Sequence, residues 1–227
     1  MDKENLKVIL TGSTGMVGEG VLYQCLEHPA VAKVLAINRR PCEILHNKLE
    51  EILHSDFMDL SPIEDKLQGY NTCFFCAGVS AVGMKETDYF RITHTLTLGF
   101  AETLSRLNPD LTFCYISGAG TDSSEKGRLM WARVKGKTEN DLLKLSFNAY
   151  NVRPAFMKPR PEALHAPKLY RYIPWVHTLG RKFFPNGFSS TDELGTAMIR
   201  VALQGYPKHI LEVSDIKKLA LLQRESV

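Results

Sequence analysis

Apolar positions along this chain come in two alternating rhythms. Short apolar and β-branched runs stand at 6–11, 33–37, 50–54, 72–76, 111–116 and 149–152, each of strand length. The first has the continuous apolar character of a parallel strand buried on both faces. Helical patterns occupy 15–26, 85–107 and 127–145, and Asn108-Pro109-Asp110 gives the second a sharp stop. Stretches 190–204 and 214–222 also have helical patterning, with 210–213 as a final short strand. This alternation predicts an α/β fold, a Rossmann-type doubly wound parallel sheet with helices on both faces.

The first strand ends in V-I-L-T-G-S-T-G-M-V-G at 8–18, with Gly12, Gly15 and Gly18 three residues apart. Each glycine has a physical use: Gly12 for a tight exit from the strand, Gly15 so that a pyrophosphate can reach the main chain, Gly18 for close helix–strand packing. The helix that follows then points free N–H groups and its positive dipole end at the phosphates. An ordinary strand-to-helix turn uses the same residues, so context matters. The second strand supplies it, ending in Asn38-Arg39-Arg40 where a dinucleotide site selects its ribose. No carboxylate stands there to accept from a 2′-hydroxyl. Forked guanidinium donors suit a 2′-phosphate, which favours NADP over NAD, although two arginines in a loop also fit a merely solvated surface.

At 227 residues and 44% hydrophobic content the chain can bury one sizeable core, and a single NAD(P)-binding domain over 1–227 is expected. A net charge of +3, with acidic and basic residues interleaved, excludes a nucleic-acid footprint. No apolar run reaches the length of a membrane span, and the first five residues lead into a strand without a signal-peptide core, which predicts a cytoplasmic location. The five cysteines, 25, 42, 73, 76 and 114, suggest reduced thiols rather than a disulfide framework. Cys73-Phe-Phe-Cys76 has the spacing of a metal or redox motif, but on a strand residues three apart face opposite sides, so no metal site is expected.

Composition changes after Arg153. Segment 153–186 holds six of the eleven prolines, seven Lys or Arg against the single acid Glu162, and the aromatics Phe156, Tyr170, Tyr172, Trp175, Phe183 and Phe184. So many prolines exclude a regular strand, and a small irregular C-terminal annex at 153–190, lying over the carboxyl ends of the sheet as a lid beside a small-molecule substrate, is expected. A basic aromatic surface for another subunit or for a membrane headgroup layer is the alternative.

Taken together, T-G-S-T-G-M-V-G at 11–18, N-R-R at 38–40, S-D-F at 55–57, F-C-A-G at 75–78, Y-I-S-G-A-G at 115–120, K-G-K-T-E at 135–139 and V-R-P at 152–154 resemble an atypical short-chain dehydrogenase/reductase. The likeness is to the NAD(P)-binding, epimerase/dehydratase-like branch and the Tat-interacting protein oxidoreductase group, and it runs from Val8 to about residue 219. It implies cofactor contacts from Gly12, Ser13, Thr14, Gly15, Met16, Val17, Asn38, Arg39, Arg40, Asp56, Phe57, Ala77, Gly78, Lys135, Arg153 and Pro154. Asp56 and Phe57 would flank the adenine, and Ala77 and Gly78 would lie against a ribose. The resemblance further implies Ser117 as the serine that holds a substrate carbonyl and Lys135 as the lysine on the nicotinamide ribose. Helices 85–107 and 127–145 would pair in a homodimer. Turn capping by Ser117 and an exposed helix charge at Lys135 are the plain alternatives.

One position departs from the family. Where Tyr-x-x-x-Lys is expected, the chain has Trp131-Ala-Arg-Val-Lys135. A phenol beside an ammonium both donates and recovers a proton, whereas an indole N–H only donates a hydrogen bond. The resemblance therefore implies two outcomes: an NADP-dependent reductase of small carbonyls with a proton from water, Tyr170, Tyr172 or His177, or an NADP-binding interaction module with little or no turnover. Tyr115 is expected in the core, two residues deeper on the strand that ends at Ser117.

Overall fold

The computed structural model describes residues 5–165, 179–180 and 182–222. In chain order the strands are β1 (Leu6–Thr11), β2 (Val31–Asn38), β3 (Leu49–Leu53), β4 (Thr72–Phe75), β5 (Thr112–Ile116), β6 (Asn148–Val152), β7 (Phe156–Lys158), β8 (Phe188–Ser190) and β9 (Ile210–Leu211). Seven of them form one sheet in the order β3-β2-β1-β4-β5-β6-β9, with every pair parallel. Strand order reverses between β1 and β4, which opens a crevice at the carboxyl end of β1. The doubly wound expectation is met.

The helices are α1 (Met16–Glu27), α2 (Glu86–Phe90), α3 (Leu96–Leu107), α4 (Met130–Leu142), α5 (Thr191–Gln204) and α6 (Val213–Leu221). Arg91–Thr95 joins α2 to α3 as one wider π-helical turn, so the stretch expected as a single helix is one rod with a bulge. Alternation along β1 divides the core. Leu6, Val8 and Leu10 pack against α1, α5 and α6, while Ile9 faces the layer that holds Leu98, Phe100, Leu104 and Leu142. Phe75 is the hub of that second layer, 5.3 Å from the ring of Phe100, 5.9 Å from Phe113 and 6.3 Å from Tyr115. Cys73 belongs to this layer and Cys76 to the other, as their spacing on a strand requires. The five cysteines are free thiols.

Two expectations are corrected. The helix expected from 127 begins at Met130, because the Asp122 carboxylate accepts the Gly127 N–H at 2.6 Å and holds 122–127 as a turn. The proline-rich segment does contain a strand: β7 fits between Pro154 and Pro159 and pairs in parallel with β8. Three residues between prolines are enough for a short ladder. The base of this annex is tied to α1 by two charged groups. Arg160 lies 2.9 Å from Glu27 and 3.4 Å from Asp192, with its guanidinium over the Tyr23 ring. Glu19, fully buried on α1, accepts the N–H groups of Leu164 and His165 at 2.6 and 2.8 Å. Tyr170, Tyr172, Trp175 and His177 lie outside the described residues.

Phe100 links Phe75 to Phe57 and has no exposed surface. Phe100→Ala is expected to cost about 3–5 kcal/mol of unfolding free energy, read as a lower urea midpoint at unchanged slope.

Candidate functional site

The site is built where β1, β2, β4 and β5 end. Gly12 has φ +74°, a conformation that favours glycine, and a Cβ there would stand 2.7 Å from the backbone of Cys76 and Ala77 at the end of β4. A Cβ on Gly18 would overlap the Gly12 carbonyl, so α1 seats directly on the turn. Gly15 differs: its added Cβ would meet only ordinary contact at 3.5 Å, and the residue is exposed. Two glycines are therefore used by the packing, and the third keeps open the approach to the first N–H groups of α1. This is the cradle a pyrophosphate needs.

The turn is joined to β2 by side chains. Asn38 Nδ2 donates to Ser13 Oγ and to Glu51 Oε1, both at 2.7 Å, while its own Oδ1 is buried without a partner. Glu51 also accepts the Cys42 N–H at 2.9 Å, which fixes the backbone after Arg40. Arg40 reaches back to the Thr14 carbonyl at 3.3 Å, and Arg39 is exposed beside it. Met16 and Val17 are half-buried against the core. On the other side of β1, the Thr11 hydroxyl accepts from Ala77 N at 3.2 Å and places Ala77 and Gly78 against the crevice. Asp56 is exposed and caps its own turn through Met58 N at 2.9 Å. The Phe57 ring is buried and stacks on Phe100 at 5.9 Å.

At the end of β5, Ser117 Oγ donates to the Val152 carbonyl at 3.2 Å, and the Lys135 ammonium donates to the carbonyl of Ser117. Lys135 is thus not an exposed helix charge. Burial lowers its pKa to about 8, against the smaller opposing pull of Glu139. Trp131, one turn earlier on α4, lies over the β5–α4 loop: a Cβ on Gly120 would stand 3.5 Å from its Cη2. The Pro154 carbonyl accepts Ala119 N at 2.8 Å and holds the same loop. Tyr115 is buried, and desolvation drives its phenol well above the ordinary range. It has no path to a substrate.

Arg153, expected among the cofactor contacts, has its guanidinium in an ion-paired cluster. Its Nε and Nη2 reach the two carboxylate oxygens of fully buried Glu139 at 3.0 and 2.5 Å, Nη1 reaches Glu212 at 3.0 Å, and Nη2 reaches Ser123 Oγ at 2.6 Å. Each nitrogen of the guanidinium is already engaged. Thr11 and Glu139 stand inside the motifs at 11–18 and 135–139 without a role that sequence assigns them, and Glu19 and Glu51 carry no motif at all. A lone acid in the otherwise small and apolar stretch M-V-G-E-G-V was the available signal for Glu19. Among the described residues, no group of His, Cys, Asp and Glu is placed to hold a metal ion.

Residues 8–126, which carry the glycine turn, the Asn38–Arg40 loop and Ser117, match the model of the NAD dependent epimerase/dehydratase family. The chain belongs to that family. Among curated relatives it is 30% identical over 145 residues to "Protein fmp52-1, mitochondrial" of Aspergillus oryzae, across 61% of this chain and 60% of that protein's length. It is 27% identical over 234 residues to "Protein FMP52, mitochondrial" of Chaetomium globosum, across 93% of this chain and 95% of that one. Among solved structures, a short chain dehydrogenase from Burkholderia cenocepacia in complex with NADP aligns at a TM-score of 0.66 and 12% identity, over all of this chain and 95% of that one. That likeness concerns the fold. The expected cytoplasmic location is overturned, because these curated family relatives are named as mitochondrial proteins. No helix among the described residues is long and apolar enough to cross a membrane.

Arg153→Met would leave the Glu139 carboxylate buried without its partner. A loss of about 3–5 kcal/mol is expected in urea unfolding, and pairing the change with Glu139→Leu should return most of it.

Proposed function

We propose that this family member binds NADP(H) on the glycine turn and moves a hydride between it and a small carbonyl or alcohol, at a rate held down by Trp131. One juxtaposition carries the reading: the glycine cradle, the Arg40 guanidinium and the half-buried Lys135 stand along a single line of strand ends. When bound, the nicotinamide supplies or accepts the hydride. The first N–H groups of α1 hold the pyrophosphate, and Arg39 and Arg40 take the 2′-phosphate. Asn38, pinned between Ser13 and Glu51, fixes the loop that presents both arginines. Lys135 holds the nicotinamide ribose, and Ser117 turns its hydroxyl from the Val152 carbonyl to a substrate oxygen. Segment 153–190 covers the substrate side, and pairing of two copies through the rod that ends in α3 and through α4 belongs to the same reading. The Burkholderia neighbour, described in complex with NADP, is consistent with this cofactor.

Trp131 also favours a second reading, an NADP-binding interaction module without turnover. Its indole polarises an oxygen but delivers no proton, and Tyr115 is locked in the core. The two readings separate in one assay. Purified protein is mixed with NADPH and a panel of aldehydes and ketones while the reduced nicotinamide band is followed. Slow oxidation by the wild type, raised about 10²- to 10⁴-fold by Trp131→Tyr at unchanged cofactor affinity, supports the reductase. Activity only in the variant supports the module, and a flat trace from both removes chemistry from this position.

Cofactor choice is tested by fluorescence titration. Arg40→Ala should weaken NADPH binding roughly tenfold and leave NADH nearly unchanged, since a charge-assisted bond to phosphate is lost. Equal effects on both would place Arg40 outside the 2′-phosphate site.

Lys135 sets the pH dependence. Its ammonium form dominates below about 8, so NADPH affinity should fall as pH rises through that value. Lys135→Met should bind more weakly at neutral pH with a flattened profile, and Lys135→Arg should keep its affinity to higher pH.

A further inference from the structure

Local sequence leaves the end of β2 without a carboxylate, and the fold brings one there from the neighbouring strand. Parallel pairing sets Glu51 of β3 opposite Ala36 of β2. Side chains two apart on a strand share a face, so Glu51 reaches along the face of Ala36 to Asn38. Its Oε1 accepts both the Asn38 amide and the Cys42 N–H, at 2.7 and 2.9 Å. Glu51 is an exposed residue, so its charge bears on whatever occupies the strand end.

A second group in this corner has an unused bond. Asn38 is 2% exposed, and with its Nδ2 donating to Ser13 and Glu51 its Oδ1 is buried without a donor. Turning the amide over would set Oδ1 against the Glu51 carboxylate, so the orientation is fixed by its neighbours. A buried acceptor without a hydrogen bond is unfavourable, and a hydroxyl relieves it. A phosphate dianion, which offers acceptors only, does not. The opposite preference stands alongside: Arg40 donates to the Thr14 carbonyl at 3.3 Å and Arg39 is exposed, both suited to a phosphate.

We propose that Glu51 is a specificity-determining residue of the ribose corner. Its carboxylate opposes the 2′-phosphate that Arg40 attracts, while Asn38 Oδ1 accepts from a ribose hydroxyl, so the chain takes NAD(H) and NADP(H) with comparable affinity. The inference rests on the reading of a dinucleotide on the glycine turn and adds how its two forms are weighed. A 2′-phosphate brings about two further negative charges, so a fixed anion beside the ribose acts more on NADP(H) than on NAD(H).

The test is fluorescence titration of the full chain with NADPH and with NADH. The wild type is expected to bind the two within about tenfold of each other. Glu51→Gln keeps an oxygen for Asn38 and Cys42 but loses the charge, and should tighten NADPH roughly fivefold and NADH less than about twofold. Glu51→Asp, shorter but still charged, should keep the wild-type ratio of affinities, which separates charge from support of the loop. Asn38→Ala should weaken NADH more than NADPH. Thermal midpoints check folding, and the wild-type ratio decides even where a variant is unstable. A wild-type preference of about 100-fold or more for either nucleotide, or equal effects of Glu51→Gln on both, overturns the proposal and leaves the dinucleotide reading standing. Failure of both nucleotides to bind removes that reading, and the specificity with it.

Discussion

The contact on which the rest depends is that of Gly18 with the carbonyl of Gly12, where no side-chain atom fits. It brings the start of α1 onto the end of β1, so that the helix N-terminus opens on the crevice where the strand order reverses. Gly12 in turn lies against the backbone of Cys76 and Ala77, which sets the spacing of β1 and β4 at their carboxyl ends. One steric constraint, applied twice, thus places the glycine turn, the Asn38 tether and the Cys76–Ala77 backbone at the end of β4 in common register. A methyl group at either position would separate α1 from β1 or β1 from β4. The phosphate site and the fold therefore share a constraint.

That sharing explains what was legible from sequence. A buried parallel strand has to be apolar and a close approach has to be glycine, so the strands and the roles of Gly12 and Gly18 are written in local residue types. Strand ends also bring Asn38, Ala77 and Ser117 together without any knowledge of loops. The ion pairs of Arg153 were not legible, for the opposite reason. Its partners Glu139, Glu212 and Ser123 come from α4, the residue before α6 and the β5–α4 loop, and no local pattern shows that a guanidinium is already occupied. The strand β7 was missed because prolines at 154 and 159 forbid a long ladder but leave room for a short one. Phe57 was read for its neighbours in sequence, while its ring is set by Phe100, forty-three residues on.

The Arg153–Glu139 pair also governs the electrostatics of the site. Glu139 stands one helical turn after Lys135, in position to compensate the ammonium charge. Two bonds from Arg153 hold that carboxylate instead, and burial of Lys135 outweighs what pull remains. The lysine thus keeps a pKa of about 8, although Glu139 stands one helical turn away. In a site that retained the tyrosine, such a lysine would act mainly on the phenol. With Trp131 in that place there is no phenol one turn away, and the contact of the ammonium is the Ser117 carbonyl.

Glu19 adds the last link. It lies on the first turn of α1, immediately past the cradle, yet its carboxylate is spent on the backbone of Leu164 and His165 rather than on the cofactor side. An anion at a helix N-terminus is favourable by itself. Here it also takes up the N–H groups of Leu164 and His165, so the chain that follows β7 is fastened to the helix that starts at the glycine turn. Arg160 repeats the connection one and two turns further along through Tyr23 and Glu27. Both anchors lie on α1, so any change in how that helix seats on the Gly12 turn is passed to the chain at 160–165.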